Sequence, residues 1–289
     1  MTSDLTKAAE RAAIEKLAGI LGLAGFEPGW VWLAGAGPGD PGLITALGLY
    51  AVSAADVILY DALANDALLG LARPGAALIF AGKRAGTKSC KQSDISRTLV
   101  SLARKGKRVL RLKGGDPLVF GRGAEEALTL AEAGVPFRIV PGVTAGIGGL
   151  AYAGIPVTHR DTGHVVTFIT GHGADGKLPD LDWAAVAAGS PTLVLYMARR
   201  FAGEIASKLI AAGRSPDEPA AVVANASLDH QSVHITTLHG LGAAAAVSSA
   251  PAILVIGENV RLREQMDWLG AMAGRVLEPK QQRSYGEAS

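Results

Sequence analysis

Residues 111–126 read RLKGGDPLVFGRGAEE, and the rest of the chain is organised around this stretch. Val109, Leu110 and Leu112 close an apolar strand, after which Gly114, Gly115, Asp116 and Pro117 take the backbone through a turn that a Cβ would resist. Arg122 and Glu125 follow at the mouth of the next helix. Bare backbone, one carboxylate and one guanidinium therefore meet at the carboxyl end of a strand, where open α/β sheets bind ligands. Taken alone, GGDP also suits a turn that merely reverses the chain.

The flanking segments repeat the same plan. Residues 30–34 read as a strand, the loop GAGPGDPG fills 35–42, and a helix is predicted over 43–54. Compared with a dinucleotide-binding fingerprint, Gly35 and Gly37 fit, but Asp40 holds the third glycine's place and Pro38 stiffens the turn. Residues 57–60 form a strand that delivers Asp61, either a catalytic carboxylate or a cap for the following turn. Strands at 77–81 and 137–140 and helices at 95–105 and 124–133 complete this half. Five strands separated by short helices argue for a mainly parallel sheet.

The segment 140–160 reads VPGVTAGIGGLAYAGIPVTHR. Pro141 and Gly142 end a strand, and Thr144 and Ala145 open a helix so poor in bulk that a ligand or another backbone can approach it closely. A second α/β unit then begins, with strands predicted at 165–170, 192–196, 220–224, 233–237 and 252–256 and helices near 181–188, 200–212 and 241–247. At the other end, residues 4–22 carry apolar side chains at helical spacing and 22–29 act as a linker. From Arg261 on, a helix remnant and a disordered tail are expected.

A chain of 289 residues that is 49% hydrophobic can bury a sizeable core, and its length suits two modest domains. With 5% aromatic residues and a formal net charge of +2, it offers neither a base-stacking platform nor a basic footprint, so no nucleic-acid partner is expected. Cys90 is the only cysteine, which excludes an internal disulfide and a thiolate cluster and favours a reducing cytosol. The first residues mix acids and bases unlike a secretory signal, and no run approaches a membrane span, so a soluble cytoplasmic protein is expected. The six histidines show no metal-ligand spacing, and no metal is expected.

LKGGDPLVFGRG at 112–123 resembles the signature of the tetrapyrrole methylases that use S-adenosylmethionine. The resemblance runs over about residues 30–262 through GAGPGDP, VILYD, GKRAG, VPGVTAG, GIPVTHR, TLVLYM at 192–197 and NAS at 225–227. It departs from the family pattern in TKSCKQ at 87–92, apart from Ser89 and Gln92, in the glycines at 146, 148 and 149, and at Ala224, where a glutamate is usual. It accounts for the whole GAGPGDP string, including the proline and aspartate that a NAD site does not explain.

The implied fold has two α/β domains, each around a largely five-stranded mixed or parallel sheet, with the active-site cleft between them. The expected segments are an N-terminal helix and linker at 1–28, domains at 29–142 and 143–263, and a tail at 264–289. The resemblance assigns Pro38, Gly114, Gly115, Asp116, Val119, Thr144, Ala145, Met197 and Ala226 to S-adenosylmethionine, although a methionine after a buried strand also serves as a gap-filler. Arg122, Glu125, Arg160 and Met197 are assigned to the tetrapyrrole; Asp61, Arg122 and Lys83 are the catalytic candidates, with Asp61 and Arg122 open alternatives for proton removal. For Glu125 the plain alternative is a surface pair with Arg122. The expected reaction methylates uroporphyrinogen III at C2 and C7 to precorrin-2, with a sister methylase of a later corrin precursor as the nearer rival. A homodimer is implied, without the extra oxidation and iron-insertion domain of fused sirohaem synthases.

Overall fold

The computed structural model describes residues 2–23, 25–82, 92–173 and 176–274. Residue contacts divide the chain into two units, Met1–Gly148 and Gly149–Ser289.

The first unit holds a parallel sheet of β1 (Val31–Gly35), β2 (Val57–Tyr60), β3 (Ala77–Phe80), β4 (Val109–Lys113) and β5 (Phe137–Val140), in the order β3-β2-β4-β1-β5. Successive side chains of a strand point to opposite faces, and both faces of this sheet carry apolar side chains covered by helices. Trp32, Ala34, Ile58, Leu110 and Leu112 pack on one side with Ala51 and Val52 of helix Ala46–Ala54. Val31, Leu33, Val57, Leu59 and Val109 pack on the other with Ile95 and Leu99 of helix Gln92–Arg104 and Leu130 of helix Gly123–Glu132. Because the sheet is covered on both faces, β1 and β4 are buried throughout, β4 with Arg111 and Lys113 among its residues. Each fully buried leucine contributes about 1.5–3 kcal/mol.

The second unit contains β6 (Val166–Thr170), β7 (Thr192–Tyr196), β8 (Pro219–Ala224), β9 (Ser232–Thr237) and β10 (Ala252–Ile256), in the order β6-β7-β10-β8-β9. Only β6 and β7 are parallel; β10 runs against both β7 and β8, and β9 against β8. The connection from β8 to β9 is too short for a crossover helix, so those two strands must be antiparallel.

Several element limits differ from the sequence reading. The helix predicted at 43–54 begins only at Ala46, because Pro41–Leu43 forms a separate 3-10 turn and Thr45 caps the helix by accepting the Gly48 N–H at 3.1 Å. Likewise Arg199–Phe201 is a 3-10 turn before helix Ala202–Ala211. After Arg261 the chain continues through short helices Arg263–Met266 and Trp268–Met272, the second tied by the Trp268 indole N–H donating to Ala151 O at 2.8 Å. Of the tail expected at 264–289, the first part is therefore helical, and the residues beyond 274 lie outside the described residues. Among the described residues, no helix is long and apolar enough to cross a membrane.

Candidate active site

Strands β4, β1 and β5 are neighbours running the same way, so the loops leaving their carboxyl ends are forced together. The Gly115 N–H donates to Gly37 O at 2.7 Å, and the Gly37 N–H donates to Gly115 O at 3.3 Å. A Cβ built on Gly35 would overlap Gly115 O and lie 2.6 Å from the Cα of Gly142, so these backbones pass one another with no room for a side chain. A Cβ on Gly115 would touch Thr144, and one on Gly148 would touch Pro38. Pro38, Gly114, Gly115, Asp116, Val119, Thr144 and Ala145 are thus gathered at one end of a single sheet.

Asp116 fastens this assembly. Its Oδ2 accepts the Gly142 N–H at 2.9 Å and its Oδ1 the Leu118 N–H at 2.8 Å. Asp116→Ala strips both amides of their acceptor and is expected to cost about 1–3 kcal/mol. The readout is a thermal midpoint lowered by several degrees, and an unchanged midpoint would remove Asp116 from this role.

Asp61 stands where β2 ends, beside the same loops. Its Oδ1 accepts the Leu63 N–H at 3.0 Å and lies 3.4 Å from the Gly114 nitrogen, so the turn-capping reading holds for one oxygen. The other, Oδ2, faces Arg111 Nη2 at 3.8 Å, and the side chain keeps 23% of its surface in solvent. One carboxylate oxygen therefore serves the turn and the other is held beyond hydrogen-bond distance of Arg111, on a side chain that stays partly exposed.

Sequence reading singles out none of Arg111, Lys113 and Glu126. Alternation along β4 puts Arg111 and Lys113 on the face of Val109, which helices Gln92–Arg104 and Gly123–Glu132 cover, and both cations are buried. They converge on Glu126 Oε1, at 3.2 Å from Arg111 Nε and 3.4 Å from Lys113 Nζ, and Gln92 Nε2 donates to the same oxygen at 2.9 Å. Glu126 is fully buried, and its Oε2 has no hydrogen-bond partner among the described residues. Burial, with Arg111 beside it, holds the Lys113 ammonium below the usual lysine range, against the pull of Glu126 and Asp61. A signal was available, since two cations at alternate positions of an otherwise apolar strand have no place in a plain core.

Arg122 caps helix Gly123–Glu132 in a left-handed conformation, φ 60. Its guanidinium forks onto Glu125, with Nε donating to Oε1 at 2.9 Å and Nη2 to Oε2 at 2.6 Å. That hydrogen-bonded pair pushes Arg122 further above the usual arginine range and holds Glu125 below the usual carboxylate range. Both side chains remain exposed, so the guanidinium is an oriented positive charge open to a ligand. Lys83 lies outside the described residues.

In the second unit, Arg160 is exposed in the turn closed by the mutual backbone hydrogen bonds of His159 and Gly163. Met197 follows β7 with φ 53 and 51% of its surface exposed, so it fills no core gap. Ala226 sits between Asn225 at φ 51 and Ser227 at φ 61; Asn225 Nδ2 donates to Ser249 Oγ at 2.7 Å, and the Ser227 N–H donates to Gln231 Oε1 at 2.7 Å. Among the described residues, the non-glycines with positive φ are Phe120, Arg122, Met197, Asn225 and Ser227. Each such residue costs about 1–2 kcal/mol. All of them fall in the motif loops, and strain of this kind gathers where a site needs a fixed backbone.

A parallel α/β sheet whose adjacent carboxyl-end loops present glycine backbone, a carboxylate and a fixed guanidinium defines an α/β protein built to hold a small polar ligand on loop backbone. The chain belongs to the Tetrapyrrole (Corrin/Porphyrin) Methylases, whose family model matches residues 31–242. It is 62% identical over 259 residues to the uroporphyrinogen-III C-methyltransferase of Sinorhizobium sp, covering 89% of this chain and 92% of that one. It is 48% identical over 254 residues to a siroheme synthase of Neisseria meningitidis, covering 88% of this chain but 52% of that one, so it spans about half of that longer relative. Among solved structures, the uroporphyrin-III C-methyl transferase of Thermus thermophilus complexed with S-adenyl homocysteine superimposes with a TM-score of 0.71 at 39% identity, over 80% of this chain and 99% of that one.

Proposed function

We propose that the chain moves two methyl groups from S-adenosylmethionine to C2 and C7 of uroporphyrinogen III, giving precorrin-2 and two molecules of S-adenosylhomocysteine. The observation that carries this reading is the convergence of the 35–42, 114–119 and 141–145 loops at one end of the first sheet, on a chain 62% identical to a uroporphyrinogen-III C-methyltransferase. The loops suit the donor. Gly114 and Gly115 expose peptide groups without side-chain cover, and the half-buried Val119 adds an apolar wall. Met197 and Ala226 are assigned to the same ligand.

S-adenosylmethionine supplies a methyl group on a sulfonium sulfur. The task left to the chain is positioning, which contributes up to several kcal/mol when reacting atoms are held in contact. Arg122, whose Nε and Nη2 are held by Glu125, offers Nη1 to a carboxylate of the substrate, and Arg160 takes another. Methylation of a pyrrole carbon leaves an iminium-like centre that must then lose a proton. A guanidinium stays protonated in a protein, so Arg122 does not accept it; Asp61 Oδ2 does, and releases it to solvent. Lys83 remains a catalytic candidate from the resemblance alone. Operation as a cytoplasmic homodimer belongs to the same reading.

Incubating the purified chain with both substrates is expected to give a dimethylated tetrapyrrole by mass spectrometry, and an unmethylated one would end the proposal. Calorimetry should show S-adenosylhomocysteine binding and no response to NAD; the opposite result would favour a dinucleotide enzyme built on the 35–42 loop.

A further inference from the structure

The buried charges on β4 have no part in the chemistry just described, yet they abut its proton acceptor. Four charged groups form the cluster, Arg111 and Lys113 against Glu126 and Asp61, so the positive and negative charges balance. Three donors, Arg111 Nε, Lys113 Nζ and Gln92 Nε2, crowd onto Glu126 Oε1. Arg111 is fixed from other sides as well, with Nη1 donating to Leu112 O at 3.1 Å and Leu59 O at 3.4 Å. Its remaining terminal nitrogen, Nη2, is the one that faces Asp61 Oδ2.

Glu126 is an unusual residue for this position. A carboxylate without solvent contact and with one oxygen unpaired among the described residues is costly, and a core gains stability more cheaply from an apolar side chain. What Glu126 does is draw two cations to one point. Lys113 is also attracted to Asp61, so without Glu126 both cations would turn on Asp61, the carboxylate that faces Arg111 from the other side.

We propose that Glu126 is a positioning residue which, by holding Arg111 and Lys113, keeps the Asp61 carboxylate aimed and its Oδ2 beyond hydrogen-bond distance of Arg111, at 3.8 Å, so that it can accept the substrate's proton. The inference rests on the reading of Asp61 as that acceptor. It differs from a structural role in one respect: the damage done by losing Glu126 arises from an unbalanced cation, so removing a cation repairs it.

The experiment is a double-mutant cycle on the full chain, with kcat and KM measured for both substrates and folding followed by thermal melt. Glu126→Gln is expected to lower kcat at least tenfold with both KM values within about threefold, because only proton removal is affected. Glu126→Gln combined with Lys113→Met is expected to regain most of that loss, a coupling opposite in sign to additive damage. A double variant no better than Glu126→Gln, or a loss carried in KM, overturns the proposal. If Glu126→Gln alone fails to fold, a double variant that folds and turns over supports the proposal, and one that also fails to fold overturns it. Asp61→Asn separates the two levels: activity retained there removes Asp61 as acceptor and this inference with it, whereas activity lost there and an unrepaired cycle remove only the role of Glu126.

Discussion

Arg122→Ala is expected to lower kcat/KM for the tetrapyrrole by roughly 10- to 100-fold, the equivalent of about 1.5–3 kcal/mol for a lost charge-assisted contact. Affinity for S-adenosylhomocysteine should stay within about twofold, because Arg122 is not among the glycine backbones and loop residues assigned to that ligand. The geometry makes the effect specific to arginine. Glu125 occupies Nε and Nη2 and leaves Nη1 as an oriented donor at the surface, which an ammonium on a flexible stem does not reproduce. Arg122→Lys should therefore recover only a small part of the loss. Activity unchanged in Arg122→Ala would take the residue out of the site, and equal losses of cofactor and substrate binding would show instead that the left-handed cap at φ 60 had collapsed.

The second large effect is expected from one methyl group. In Gly35→Ala the new Cβ would overlap Gly115 O and stand 2.6 Å from the Cα of Gly142, and backbone cannot withdraw as the tip of a side chain can. Overpacking of this kind costs about 1–3 kcal/mol or more, so the thermal midpoint should fall by several degrees. S-adenosylhomocysteine binding should weaken at least tenfold, since forcing these loops apart also moves Gly114 and Gly115. Gly19→Ala is the control. It lies in helix Thr2–Ile20 with nothing within 4 Å of the added atom, and should stabilise by up to about 1 kcal/mol. Equal behaviour of the two variants would mean that the loops do not depend on close backbone approach.

Much of this was legible in the residues. Strands β2, β5, β7 and β10 fall where apolar runs and turn residues place them. Glycine and proline marked the loops because their backbone preferences are local properties of the residue. Helix starts were harder to read. The Pro41–Leu43 turn separates from helix Ala46–Ala54 because Asp40 and Thr45 each cap a different short segment, and residues 43–54 look like one helix to a periodicity argument. The antiparallel course of β10 was likewise hidden, because pairing direction depends on which strands become neighbours, whereas the short β8–β9 connection was readable.

By itself the sequence determined which kinds of group stand at strand ends: glycine backbone in the 35–42, 114–115 and 141–142 loops, and the charges of Asp61, Asp116, Arg122 and Glu125. It determined them because turn geometry and strand ends are set within a few residues of chain. Only the tertiary structure decided that Asp116 ties two loops together, that the Arg122 guanidinium is held by Glu125, and that Arg111, Lys113 and Glu126 form one buried cluster beside Asp61. Electrostatic interaction depends on distance through space and on exclusion of water, and the order of strands in the sheet sets both.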